Sequence, residues 1–193
     1  MMVKICGITN REDALAAIAG GAAALGFNFY PASPRYISPE AAAGLIAELP
    51  ARVWKVGVFV DAPAESLLRI ARQTGIDIAQ LHGSETPEQY PTGMRVWKAF
   101  RMGRAFAPPE WVPAEAVLLD GPASGERFDW ARVPNGGAKV ILAGGLDAAN
   151  VRGAIEQVRP WGVDACSLLE SSPGRKDHFK MAAFLKAALA VTA

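Results

Sequence analysis

Two kinds of pattern alternate along this chain. Short apolar runs, many of them β-branched, occur at 3–6, 24–27, 53–60, 76–81, 96–100, 117–119, 140–143 and 162–166, bounded by Gly, Pro, Asp or Asn. Such runs read as strands covered on both faces, as in a parallel sheet. Between most of them lie Ala/Leu/Arg/Glu-rich segments with apolar positions at helical spacing: Glu12 to Ile18, Pro39 to Leu49, Ala64 to Gln73, Ala148 to Val158 and His178 to Val191. Ser38 before Pro39 and Asp147 before Ala148 are N-cap candidates. Counted at Val3, Ala24, Val53, Ile76, Val96, Val117, Val140 and Val163, the gaps are 21, 29, 23, 20, 21, 23 and 23 residues. Eight βα units at a near-constant period predict an α/β fold, a (β/α)8 TIM barrel, with an open doubly wound sheet as second choice. At 193 residues this is a minimal barrel, a single domain over 1–193. Met102 to Glu115 contains Pro108, Pro109 and Pro113, so the fifth helix is expected to be degenerate or absent.

Composition narrows the partners. Lys plus Arg number 20 against 19 Asp plus Glu, and a net charge of +1 provides no field for nucleic acid or an anionic membrane. No apolar run approaches the ~20 residues of a membrane span, and MMVKICGITN lacks the apolar core and small-residue site of a signal peptide. The expectation is a cytoplasmic protein, monomer or homodimer, acting on a small molecule. Cys6 and Cys166, far apart in the chain, make neither a disulfide framework nor a zinc ribbon. With no HExxH, CxxC or paired-His spacing, no metal is expected. Without a GxGxxG or P-loop, no nucleotide cofactor is expected.

In a barrel of this kind chemistry belongs at the C-terminal ends of the strands. Strand residues alternate between the interior and the helix layer. If Ile5, Val163 and Ala165 face the helices, then Lys4, Cys6, Asp164 and Cys166 face inward. Gln80 shares a side with His82, and Leu118 with Asp120. One mouth would then gather a thiol, an imidazole and two carboxylates. A thiol becomes a useful base when a cation lowers its pKa, and Lys4 is placed to do so. Asp120 needs burial or a like charge to act as an acid at neutral pH. Commoner fates weigh against each: Cys6 as a small buried hydrophobe, Asp120 as a turn residue, His82 as a rim histidine. Gly144-Gly145 after strand seven, with Ser167 after strand eight, suits an anion cradle at the usual phosphate position of barrels. Arg35, in a loop stiffened by Pro31 and Pro34, suits a carboxylate or phosphate.

The residues resemble those of the phosphoribosylanthranilate isomerases. The matching stretches run in order: Val3-Lys4-Ile5-Cys6-Gly7-Ile8-Thr9, Gly26-Phe27-Asn28-Phe29 with Ser33-Pro34-Arg35, and Gly57 to Asp61. Gln80-Leu81-His82-Gly83, Leu118-Leu119-Asp120, Phe128-Asp129-Trp130, Leu142 to Leu146 and Glu170 to Gly174 with Lys176-Asp177 follow. Together they cover essentially the whole chain. The family is a (β/α)8 barrel whose fifth helix is commonly degenerate.

The resemblance implies an Amadori rearrangement of N-(5-phospho-β-D-ribosyl)anthranilate to 1-(2-carboxyphenylamino)-1-deoxy-D-ribulose 5-phosphate, in tryptophan biosynthesis, without cofactor or metal. By motif, Asp120 is the acid that protonates the furanose oxygen and opens the ring to a Schiff base. Cys6, as thiolate, is the base that takes the proton from C2′. Arg35 holds the anthranilate carboxylate, and Gly144, Gly145 and Ser167 hold the phosphate. Gln80, His82 and Asp164 are further candidates for substrate contact.

The chain departs from the family in three ways. The loop after Asp120 is shorter, Leu168 stands where the family has glycine, and Cys166 stands where it has serine. These departures motivate a second reading, a barrel that binds a phosphorylated ligand with reduced or lost catalysis. A third reading, the larger two-phosphate substrate of histidine biosynthesis, fits poorly with a single anion cradle. If Cys6 and Cys166 lie close, mild oxidation would inactivate an enzyme reversibly.

Overall fold

The structure, a computed structural model, describes residues 1–103, 112–133 and 139–192. Eight parallel strands carry it: β1 (Met2–Ile5), β2 (Ala24–Asn28), β3 (Trp54–Phe59), β4 (Ile78–Leu81), β5 (Arg95–Arg101), β6 (Ala116–Asp120), β7 (Lys139–Leu142) and β8 (Gly162–Ala165). Each pairs with the next in sequence. β8 returns to β1 with Lys4 opposite Asp164 and Ile5 opposite Ala165. That last pairing closes the barrel and rules out the open sheet.

Five α-helices lie among the described residues: α1 (Arg11–Ala19), α2 (Pro39–Ala47), α3 (Ala64–Thr74), α4 (Val151–Val158) and α5 (His178–Leu189). Ser38 caps α2, its hydroxyl accepting from Ala41 N at 3.2 Å. Asp147 does not start α4 as expected. Its carboxylate accepts from the backbone N–H of Ala149 and Asn150, which holds a turn, and the helix begins at Val151.

The eight-unit pattern also overstates the helices. Between β4 and β5 there is only a 3₁₀ turn, Pro87–Gln89, and the described residues between β6 and β7 hold another, Trp130–Arg132. Pro87, Pro91 and Gly93 deny the first of these links a helix interior. The fifth-unit segment, Met102 to Glu115, lies largely outside the described residues, which omit 104–111. After β8 the chain adds an antiparallel ribbon, β9 (Glu170–Ser172) with β10 (Arg175–Lys176).

Period-two alternation divides the apolar residues into two cores. Val3, Ile5, Leu25, Phe27, Leu119, Leu142 and Val163 face outward and pack with helix residues such as Leu67, Ile155 and Phe184. Inside the barrel, Met2, Ala24, Val56, Ile78, Trp97, Ala116, Leu118 and Ile141 fill the lower half. The upper half of the interior carries the polar inward residues, among them Lys4, Gln80 and Asp164, beside Val58 and Ala143. No helix among the described residues is long and apolar enough to cross a membrane.

Candidate active site

Above the apolar layer the inward positions become Lys4, Gln80 and Asp164, and above them Cys6, His82, Asp120 and Cys166. A cavity of about 580 Å³ opens at the C-terminal ends of the strands, within the usual range for small-ligand sites. Cys6, Arg35, His82, Asp120, Asp164 and Ser167 line it, with Gly144 and Gly145. The inward orientations expected from Ile5, Val163 and Ala165 hold, since all three lie in the outer core.

Gln80 does not line the cavity. Fully buried, it sits one layer down with its side-chain amide against the His82 ring. The amide nitrogen is a donor only, so His82 Nε2 accepts. Burial first, and then the charges of Lys4, Arg101 and Lys98, bring the His82 pKa down to about 3. The imidazole is neutral at working pH.

Lys4 Nζ lies 2.9 Å from Asp164 Oδ2, and both side chains are buried. Burial opposes the Lys4 ammonium, but attraction to Asp164 and Cys6 holds its pKa above the ordinary lysine value. Burial pushes the Asp164 carboxyl up to about 7 against the pull of Lys4. Strand pairing brings the two cysteines together, with Cys6 N donating to Ala165 O at 3.0 Å. A hydrogen bond from the Cys166 thiol, together with the charges of Lys4 and Lys176, outweighs burial and holds the Cys6 thiol well below its ordinary range. The same hydrogen bond and burial push Cys166 up. Both thiols are free. Gly26 on β2 makes the space, since a Cβ there would stand 2.7 Å from Cys6 Sγ.

Asp120 ends β6. Burial raises its pKa, against a hydrogen bond from Gly121 N at 2.8 Å and the nearby charge of Arg101. A carboxyl raised in this way is suited to hold a proton, and a lowered thiol to take one.

Arg35 reaches the cavity, but a carboxylate already engages it. Nε lies 2.9 Å from Glu170 Oε1, and Nη2 lies 2.7 Å from Glu170 Oε2. Lys176 Nζ joins Glu170 at 3.0 Å and approaches Cys166 Sγ at 3.6 Å. This network ties the Arg35 loop to the β9–β10 ribbon and the cysteine pair. Nη1 of Arg35 has no hydrogen bond among the described residues.

Gly144 and Gly145 adopt φ of 82° and 61°. A Cβ on Gly144 would overlap Gly121 N, so the turn after β7 requires glycine for both backbone conformation and space. Ser167 opens a 3₁₀ turn, Ser167–Leu169, after β8. Leu168 is 38% exposed on the rim. Among the described non-glycine residues only Asp61 and Arg159 have positive φ, so Leu168 carries no backbone strain.

Sequence reasoning missed Arg101 and Glu170. Arg101 ends β5 opposite Asp120 and lines the cavity. The Trp97, Ala99, Arg101 alternation carries that signal, but the apolar run itself ends at Phe100. Nothing in the sequence linked Glu170 to Arg35, 135 positions away.

A sequence profile described as N-(5′phosphoribosyl)anthranilate (PRA) isomerase matches residues 3–187. The N-(5′-phosphoribosyl)anthranilate isomerase of Solibacter usitatus is 50% identical over 198 residues, covering 98% of each chain. The phosphoribosyl anthranilate isomerase structure from Thermus thermophilus superposes with a TM-score of 0.88 at 41% identity, covering 99% of this chain and 100% of that one. A second structure, 39% identical with a TM-score of 0.84 over 98% and 99% of the two chains, is a phosphoribosyl anthranilate isomerase in complex with reduced 1-(o-carboxyphenylamino)-1-deoxyribulose 5-phosphate.

Proposed function

We propose residue roles from one premise: the chain belongs to the N-(5′-phosphoribosyl)anthranilate isomerase family. Its reaction is the isomerisation of N-(5′-phosphoribosyl)anthranilate in tryptophan biosynthesis. The residue roles are our reading of the cavity.

Asp120 donates a proton to the ribose ring oxygen as the anilino nitrogen drives the ring open to the iminium. Cys6, as thiolate, then removes the C2′ proton and leaves the enolamine. The observation that carries this reading is the opposite displacement of the two pKa values across one cavity: the carboxyl up by burial, the thiol down by a hydrogen bond and two lysines. Each step is worth about 10²–10⁴ in rate. Neutral His82, seated on Gln80, offers a hydrogen bond without adding charge. Nη1 of Arg35 takes the anthranilate carboxylate, while Glu170 holds the other edge of the guanidinium. Gly144, Gly145 and Ser167 take the phosphate through backbone N–H groups and a hydroxyl. All these residues come from one chain, so the reading applies equally to a monomer and a homodimer. Its phosphorylated substrate fits a cytoplasmic setting.

The test is an assay with substrate generated in place, on the wild-type chain and on Cys6→Ser and Asp120→Asn. Each substitution is expected to lower kcat by about 10²-fold or more while calorimetry still detects binding of a reduced product analogue. Near-normal turnover in both variants would refute the roles. Analogue binding with no turnover in the wild type would instead favour a ligand-binding barrel.

A further inference from the structure

Four buried side-chain polar atoms among the described residues have no hydrogen-bond partner: Gln80 Oε1, Trp97 Nε1, Trp130 Nε1 and Asp164 Oδ1. Of their residues, only Asp164 lines the cavity. Its other oxygen, Oδ2, is committed to Lys4 Nζ at 2.9 Å. A buried carboxylate oxygen calls for a donor, and a ligand in the cavity can supply one. The strands locate that donor. Lys4 and Asp164 are register partners on β1 and β8, and Cys6 stands two positions above Lys4 on the same inward face. The register therefore sets Asp164 one layer below the sulfur proposed to take the C2′ proton, and a ligand hydroxyl on the carbon beside that sulfur is the donor that Oδ1 lacks.

We propose that Asp164 is a third catalytic group of this isomerase, whose Oδ1 accepts the 2′-hydroxyl proton as the enolamine collapses to the ketone. This rests on the isomerase reading above and adds the step that follows it. The enolamine carries an O–H on C2′ and a C1′=C2′ double bond. As Asp164 takes the hydroxyl proton, the O–H pair forms the C2′=O bond. The C1′=C2′ π pair then takes a proton from Cys6 Sγ, the thiol having exchanged with solvent by then, and forms the new C1′–H bond. Cys6 returns to thiolate. Asp120 has lost one proton and Asp164 has gained one, and exchange with solvent restores both. The groups facing Asp164 suit a proton acceptor. The Lys4 ammonium keeps the carboxylate available before the step. Burial, with the negative charges of Cys6 and Asp120 nearby, favours the protonated form after it.

The test compares wild type and Asp164→Asn with substrate deuterated at C2′. Asparagine keeps a hydrogen-bonding carbonyl but cannot take a proton. The wild-type chain is expected to show a primary isotope effect on kcat from C2′–H cleavage. In Asp164→Asn kcat falls by about 10²-fold or more, the isotope effect shrinks towards unity, and enolamine accumulates as a stopped-flow transient. A wild-type rate overturns the proposal, and so does a slow variant with its isotope effect intact, because a merely displaced Cys6 would still limit at C–H cleavage. Should Asp164→Asn fail to give a cooperative urea transition, Lys4→Met is compared with Lys4→Met/Asp164→Asn, which removes the buried pair together. Loss of the isotope effect only in the double variant supports the proposal, and its retention in both overturns it. A wild-type chain with no turnover would sink the isomerase reading itself, a different outcome from any of these.

Discussion

At the N-terminal ends of the strands, Trp97 stands edge-on to two stacked rings, Trp54 and Trp161, with centroids 6.2 and 5.9 Å away. Arg95 and Lys139 close this end with cations over Trp54 and Trp161 at 4.6 and 5.0 Å. At the opposite end the same eight strands enclose Lys4 against Asp164, and Cys6 against Cys166. The lower half gains apolar burial and aromatic contact. The upper half holds ionised groups out of water, which costs free energy unless each has a partner. The aromatic packing and the proposed chemistry therefore lie at opposite ends of the barrel axis, and each half is expected to tolerate disturbance of the other.

The largest effect is expected at the lower end. Trp97 is fully buried, and Trp97→Ala should cost about 3–5 kcal/mol of unfolding free energy, read as a lower urea midpoint. kcat/KM per folded molecule should stay within about threefold of wild type, a shift below about 0.7 kcal/mol. A large loss of kcat/KM in the folded variant would show that the two halves are coupled.

A change of intermediate size is expected from Cys166→Ala. In the proposed mechanism Cys6 acts deprotonated, so kcat/KM should fall on the acid side as the sulfur gains its proton. Removing the thiol that donates to Cys6 raises the Cys6 pKa, and the acid limb moves to higher pH. A hydrogen bond to a charged group is worth about 1.5–3 kcal/mol, which corresponds to about one to two pH units. The alkaline limb, assigned in the same proposal to deprotonation of Asp120, should not move. A pH profile with an unshifted acid limb would show that Cys166 does not stabilise the thiolate.

The smallest effect is expected from Leu168→Gly. Leu168 sits on the rim with a backbone that any residue can adopt. KM should therefore change by less than about threefold, or ~0.65 kcal/mol. A tenfold tightening would show that the leucine side chain obstructs the phosphate.

How much of this was legible beforehand differs by element. The strand runs, their inward and outward faces and the Ser38 cap follow from period-two alternation and local side-chain chemistry, and they appear in the structure as expected. Asp147 misled because an aspartate can cap a turn or a helix with the same residue. The five helical segments read from apolar spacing are the five α-helices of the described residues, while the even βα period by itself did not show that the fourth unit holds only a 3₁₀ turn. Cys6, Asp120, Arg35, His82, Asp164 and the Gly144-Gly145 turn, expected at the mouth from strand ends and family motifs, all line the cavity. The engagement of Arg35 by Glu170 was not expected, nor was the withdrawal of Gln80 from the cavity.

Residue order settled the alternation of faces, the length of each βα unit and the kinds of groups delivered to the mouth, because those depend on neighbours a few positions away. Closure of β8 onto β1 settled the rest. It set Asp164 against Lys4 and Cys166 against Cys6, pairs 160 positions apart, and buried them together. Burial and contact at that range shift proton affinities, and neither exists in the chain until the ring is closed.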